Sequence, residues 1–131
     1  MNVGLAVTRI TQRAPRSLAL FDGERTMDYA TRQSGLNHHQ ARLDRDGQAR
    51  IVIAHQDPGL QNWLDTGGHP EGMLQYRWVF TQDNPATRAR IVPFEKLRSV
   101  LPADTPDYGA AQRRAALAIR HRHLARREPT T

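Results

Sequence analysis

The sequence predicts a mostly β fold, with an antiparallel sheet followed by two C-terminal helices. Between residues 39 and 92, segments rich in β-branched and aromatic residues show alternating polarity and are separated by turn sequences, which is typical of strands. After Pro93 the apolar residues follow helical spacing instead. A chain of 131 residues, of which 38% are hydrophobic, is long enough for one domain with a modest core.

The strand predictions differ in strength. Residues 72–80 are the clearest strand, because Leu74, Tyr76 and Trp78 share one face of an alternating segment. Weak alternation in residues 1–20 indicates an N-terminal arm or an edge strand. The other predicted strands are 39–43, 50–55 and 88–92.

Two helices are expected after the strands. The segment 93–101 places its apolar residues at helical spacing. Further along, Thr105 is the expected N-cap, Pro106 the first helical residue, and an alanine-rich helix is expected to continue to about Arg127. The chain is accordingly divided into the arm or edge strand (1–20), a β domain (21–102) and a basic C-terminal helix and tail (103–131).

The net charge of +6 lies in the C-terminal helix. Residues 113–127 contain six arginines and no acidic residue, whereas the remaining 13 basic residues equal the 13 acidic ones. Ala110, Leu117 and Leu124 form only a thin apolar stripe, so the helix lacks the broad apolar face of a membrane-surface helix. No aromatic residue follows Tyr108, although nucleic-acid modules usually interleave aromatic and basic residues. We therefore expect no nucleic acid and no membrane as partners.

The cysteine count and the hydropathy pattern limit the class of protein further. The chain has no cysteine, which excludes disulfides, iron–sulfur clusters and thiolate zinc sites and favours a reducing compartment. No segment approaches the roughly 20 apolar residues of a membrane helix. The first 21 residues lack the apolar core of a signal peptide. A cytoplasmic location is expected.

Six side chains in and around the loop from residue 55 to residue 71 are candidates for a ligand site. They are His39, His55, Trp63, Asp65, His69 and Arg77. The Asp-Thr-Gly triplet that begins at Asp65 resembles that of aspartic proteases, which favours, as an alternative, a hydrolytic or metal-assisted enzyme using Asp65 and the three histidines. The structural alternative is a turn in which Asp65 caps backbone amides and the glycines take positive φ. Because the candidate histidines show no HxH or HExxH spacing, no metal and no other cofactor are predicted.

The turn at residues 44–48 decides how the candidate side chains are arranged. A three-residue loop with Gly47 in a bulge places the apolar residues of both flanking strands on one face, whereas a two-residue loop does not. In that register His39 and His55 become diagonal neighbours, with Cβ atoms roughly 7 Å apart. We expect these histidines and Asp65 or His69 to line one pocket roofed by Trp63. The prediction for Arg77 is that it points to solvent or to a carboxylate such as Asp65.

Three short motifs resemble a known family. Asp44-Arg45-Asp46-Gly47, Asn62-Trp63-Leu64 and Arg77-Trp78 are similar to elements of the bacterial domain of unknown function 1214, over about residues 28–102. The resemblance implies a β-sandwich of partial jelly-roll type. It implies no catalytic residues, because no activity is established for the family. The chain departs from the family pattern at Thr66-Gly67-Gly68, where many members have proline-rich sequence.

Taken together, the sequence favours a β-sandwich domain that binds a small polar or carbohydrate-like ligand near the 55–71 loop. Two other functions stay open: the enzyme described above, and a structural accessory domain that docks another protein through its basic helix. A sandwich with few strands leaves an edge without a neighbour, so a homodimer or a hetero-complex is expected.

Overall fold

The computed structural model describes residues 2–9, 16–23, 32–79 and 85–126. Seven strands form two sheets. The strands are β1 (Asn2–Arg9), β2 (Arg16–Gly23), β3 (Gly35–Asn37), β4 (Gln48–Ala54), β5 (Trp63–Asp65), β6 (Gly72–Val79) and β7 (Thr87–Pro93). A 3₁₀ helix (Phe94–Val100) and one α-helix, α1 (Ala110–Ala125), follow the last strand.

The first sheet has the strand order β5-β4-β1-β7 and is mixed. β4 pairs antiparallel with β1, but it pairs parallel with β5, where Val52 lies opposite Trp63. The prediction of a wholly antiparallel sheet is therefore wrong. The loop that follows Ala54 carries the chain back along β4, so that β5 runs in the same direction as β4.

Strand β1 lies in the interior of the first sheet, so the prediction of an arm or edge strand is wrong for Asn2–Arg9. Its Leu5 lies opposite Val52 of β4 on one side and Arg90 of β7 on the other, and it is fully buried. The apolar–polar alternation in the sequence of β1 is weak because small residues occupy the face opposite to Leu5. A Cβ atom added at Gly4 would already lie 3.4 Å from the side chain of Ile53.

The second sheet has the order β3-β2-β6 and is antiparallel. Strand β6 confirms the prediction for this segment, since Leu74, Tyr76 and Trp78 are half-buried while Arg77 on the opposite face is exposed. The rings of Tyr76 and Trp78 stack with their centroids 5.9 Å apart. Phe80, the last residue of the predicted strand, lies outside the described residues.

The turn at residues 44–48 has the predicted three-residue loop. Asp44 donates its amide to the carbonyl of Gln48 at 2.9 Å, and Gly47 adopts a positive φ of 75°. The Asp44 carboxylate is buried and accepts hydrogen bonds from Arg42 and Arg50. Arg50 also binds Asp46 across the turn, and this hydrogen bond lowers the pKa of Asp46 to about 2.

The predicted hairpin does not extend beyond this turn, because residues 38–43 form a turn and a loop instead of a strand. The Asn37 side chain ends β3 by accepting the backbone amides of His39 and Gln40, each at 3.0 Å. The backbone of Arg42 is bound by a side chain instead of by a strand. The Asn62 side chain accepts the amide of Arg42 and donates to its carbonyl, each at 2.7 Å. A local side-chain acceptor thus competes successfully with sheet pairing.

The first sheet buries apolar residues on both of its faces. One face meets the second sheet in the intersheet cluster, formed by Leu36, Ile51 and Leu64. The other face carries the outer cluster, which includes Leu5, Val52, Trp63 and Leu97. Leu97 comes from the 3₁₀ helix, whose partly buried Phe94 and Val100 also pack on the outer cluster, as the helical spacing of this segment predicted.

Helix α1 begins later than predicted. Its first turn starts at Ala110, so Thr105 is not its N-cap and Pro106 is not its first residue. Gly109 takes the N-cap position: its carbonyl accepts the amide of Arg113, and its own amide donates to the side chain of Gln112 at 2.7 Å. This is the glutamine half of a capping box. None of the helices described is long and apolar enough to cross a membrane.

Arg113 attaches α1 to the sheet, and it is only 5% exposed. Its guanidinium binds Asp57 at 2.9 Å and Gln33 at 2.9 Å, and it donates to the carbonyl of Leu60. Sequence analysis counted this residue only as one of the six arginines of the basic helix. The structure shows instead that this arginine docks the helix, on which Leu117 is half-buried.

We predict that Arg113→Ala lowers the free energy of unfolding by about 2–4 kcal/mol, because it leaves a buried carbonyl and a carboxylate without their partner. Arg114→Ala is the matched control, since Arg114 is exposed on the same helix. Its effect should stay within about 0.5 kcal/mol. Urea unfolding followed by circular dichroism measures both, and equal effects of the two substitutions would contradict the role assigned to Arg113.

Tyr76 gives a prediction at alkaline pH. Burial raises the pKa of Tyr76 to about 12, and its hydroxyl has no hydrogen-bond partner among the described residues. The folded state therefore favours the neutral phenol, and this contribution to stability is present below pH 10 and lost as pH rises towards 12. Tyr76→Phe should remove that loss and leave the melting temperature at pH 7 equal or higher. A clearly lower melting temperature at pH 7 would show that the hydroxyl is hydrogen-bonded.

Candidate ligand cleft

A cleft of about 390 Å³ opens where β4 ends and β6 begins. It is lined by the last residues of β4 and by the turn that precedes β6. The lining residues are Ile53, Ala54, His55, Thr66, His69, Pro70, Glu71 and Gly72. Among the described residues, the polar side chains of the cleft are therefore two imidazoles, one hydroxyl and one carboxylate.

The most ordered polar pair in the cleft is His55 with Thr66. The Thr66 hydroxyl lies 2.5 Å from Nδ1 of His55. Thr66 is 7% exposed, and its backbone amide donates to the carbonyl of Ala54, so the hydroxyl is fixed by the end of β4. His55 itself is exposed, so its ring projects from this anchor into the cleft.

The turn after β5 places His69 in the lining of the cleft. The amide of His69 donates to the carbonyl of Thr66 at 3.0 Å, and the two intervening residues, Gly67 and Gly68, have φ of 63° and 82°. L side chains rarely adopt such φ values, so glycine is required at both positions. The turn therefore brings Thr66 and His69, which are three positions apart in the sequence, into the lining of the same cleft.

Asp65 stabilises this turn and does not line the cleft. One carboxylate oxygen accepts the amide of Gly67 at 2.8 Å, and the other lies 3.4 Å from Nη1 of Arg32. The structural alternative for the Asp-Thr-Gly triplet is thus confirmed. Arg32, and not Arg77, is the arginine that pairs with this carboxylate.

Trp63 is a core residue and does not roof the cleft, which corrects the prediction. It is 7% exposed and belongs to the outer cluster. Its indole Nε1–H donates to the carbonyl of Ala54 at 3.0 Å. A buried tryptophan whose N–H has a partner supplies packing area without contact with a ligand.

His39 and Arg77 also lie away from the cleft. His39 is exposed in the turn after β3, where its ring lies 3.8 Å from that of His38. The shared face predicted for His39 and His55 depended on the hairpin that does not form. Arg77 is exposed on β6, as one of its two predicted orientations required, but it does not line the cleft.

Of the six predicted ligand residues, the structure therefore brings only His55 and His69 together. Sequence analysis missed Thr66 and Glu71, which complete the polar lining. Thr66 lies within a triplet that was interpreted through its aspartate, and Glu71 lies in a turn without a motif. Within the described segments, no three histidine or acidic residues lie close enough together to hold a metal ion.

The motifs that carry the family resemblance have structural roles in this fold. Asn62 ties the loop at Arg42 to β5, while Trp63 and Leu64 point into the outer and intersheet clusters respectively. Gly47 supplies the positive φ of the turn at residues 44–48. These contacts give the residues of the first two motifs structural roles at this spacing.

Comparison with known proteins adds support for the fold. No family model matches the sequence, and no curated protein matches it significantly. A crystal structure of an uncharacterized protein from Burkholderia cenocepacia is similar, with 26% sequence identity and a TM-score of 0.68. The likeness covers 73% of this chain and 27% of that protein, so the chain spans about a quarter of the length of the solved protein.

Thr66→Val should change the tautomer balance of His55, because valine removes the hydroxyl that lies against Nδ1. Thr66→Ser is the control, since serine retains the hydroxyl and should retain the balance. The ¹⁵N shifts of the two ring nitrogens measure it. Identical ring shifts in the wild type and in Thr66→Val would show that the hydrogen bond does not form in solution.

Proposed function

We propose that this chain is a non-catalytic β domain that holds a small polar molecule in the cleft between His55 and His69. The observation that carries the proposal is the convergence of two imidazoles, a hydroxyl and a carboxylate on one open cleft of about 390 Å³. Sites for small ligands combine a concave surface with a few polar groups that fix orientation. The family proposed is the domain of unknown function 1214, with the two sheets forming a sandwich of partial jelly-roll type.

The lining indicates which chemistry the ligand has. Glu71 can accept hydrogen bonds from hydroxyl groups, and the imidazole of His69 in its neutral form offers one donor and one acceptor. His55 offers only Nε2, because its Nδ1 is engaged by Thr66. Trp63 is buried elsewhere, and no tryptophan, tyrosine or phenylalanine among the described residues lines the cleft to stack on a sugar ring. A compact molecule rich in hydroxyl groups, such as a cyclic polyol, fits this lining better than a carbohydrate bound by stacking.

Binding is favoured over hydrolysis for two reasons. Asp65, the residue on which an aspartic-protease mechanism would depend, is engaged by Gly67 and Arg32. The hydroxyl of Thr66 lies beside an imidazole, as in nucleophile–base pairs, but Thr66 is nearly buried and its hydroxyl anchors His55. The cleft therefore has groups that orient a ligand and lacks an accessible hydroxyl or thiol nucleophile among its described residues.

The test is a titration of the ¹⁵N-labelled chain with myo-inositol at millimolar concentrations, monitored by amide and imidazole shifts. We expect shifts confined to residues 53–55 and 66–72, and a loss of affinity of about tenfold in His69→Ala and in Glu71→Ala. His39→Ala is the matched control, because this histidine lies outside the cleft and should leave affinity unchanged. Absence of shifts at the cleft, or an equal loss in His39→Ala, would contradict the proposal.

A further inference from the structure

Strand β7 forms the outer edge of the first sheet. It pairs with β1 on one side, and within the described ranges no backbone hydrogen bond joins its other side to any segment. The residues from Thr87 to Ile91 are all exposed. An edge of this length offers a row of backbone donors and acceptors to an added strand.

The side chains of this edge have two distinct faces. Val92 is buried in the outer cluster. Arg88 and Arg90 precede it at alternate positions of the strand, so they lie on the same face as Val92. Ala89 and Ile91 lie on the opposite face, and Ile91 is 76% exposed. No carboxylate of the described segments forms an ion pair with Arg88 or Arg90.

The two arginines decide which occupant the edge accepts. In an antiparallel pairing of two copies about a two-fold axis, both copies keep the same face on the same side of the sheet. When the two-fold axis passes beside residue 88, 89 or 90, Arg88 lies opposite Arg88, Arg90 or Val92 of the other copy, respectively. In each of these registers at least one arginine lies opposite an arginine, since Arg90 faces Arg90 in the last. Like charges directly opposite each other destabilise a pair of strands, whereas opposite charges stabilise it. An acidic strand is therefore favoured over a second copy.

We propose that β7 binds an extended acidic segment of a partner protein by strand addition. Acidic side chains at alternate positions of the segment would face Arg88 and Arg90, and the apolar side chains between them would cover Ile91 and Ala89. The backbone hydrogen bonds supply affinity, and the alternating side chains supply specificity, as in other strand-addition complexes. This surface is separate from the cleft and from helix α1.

The test uses a short peptide in which glutamate alternates with valine, flanked by serine and glycine. Added to the ¹⁵N-labelled chain, it should shift the amides of residues 87–92 and bind about tenfold more weakly at high salt. The same peptide with lysine in place of glutamate should not bind. The double variant Arg88→Glu and Arg90→Glu should reverse this preference, whereas Arg114→Glu with Arg122→Glu, which changes the net charge equally, should preserve it.

Three results would overturn the proposal. Equal binding of the two peptides would exclude charge recognition. Amides of residues 87–92 that exchange slowly in the free chain would show that the edge is already covered, either by the chain itself or by a second copy. Shifts located on α1 would place any acidic binding on the basic helix instead.

Discussion

The buried guanidinium of Arg113 is the interaction on which the arrangement of this protein depends. A buried charge is costly unless its donors are satisfied, and here each nitrogen has an acceptor. Nε binds Asp57, Nη1 binds Gln33 at 2.9 Å, and Nη2 binds Asp57 at 3.2 Å as well as the carbonyl of Leu60. The group also lies 5.0 Å from the ring centroid of Trp63 and 4.6 Å from that of Tyr108. One side chain thus connects α1 to Gln33 and to the segment from Asp57 to Trp63.

The consequences of this contact extend towards the cleft. Gln33 connects Arg113 to the carbonyl of Trp63 through its amide, at 2.7 Å. Trp63 in turn binds the carbonyl of Ala54, the last residue of β4 and the neighbour of His55 in the sequence. The same carbonyl accepts the amide of Thr66, the partner of His55. The position of the His55–Thr66 pair is therefore set by a continuous series of contacts that begins on the helix, so the helix helps to position the candidate cleft.

The predictable part of the fold is local. Alternation identified β6 and β7, and the turn chemistry of residues 44–48 followed from Gly47, because these features depend on neighbouring residues. Partner strands depend on distant ones, and this is why the hairpin and the position of β1 were predicted wrongly. Arg113 was missed for the same reason: on a helical wheel it is one basic residue among several, and only Asp57 and Gln33, far away in the sequence, distinguish it. The cleft was half predicted, since His55 and His69 flank the loop that forms it, whereas Thr66 became recognisable only once β5 lay beside β4.

The most direct test of this account is a double-mutant cycle between Asp57→Asn and Arg113→Gln, measured as the free energy of unfolding. Asparagine at position 57 retains the acceptor that caps the amide of Gly59, so the cycle reports on the link to the helix alone. A central, partly buried contact predicts a coupling energy of about 1–3 kcal/mol, with both single variants loosening α1 in hydrogen exchange. Additive effects, within about 0.5 kcal/mol, would show that the helix is held by other contacts and would contradict the account.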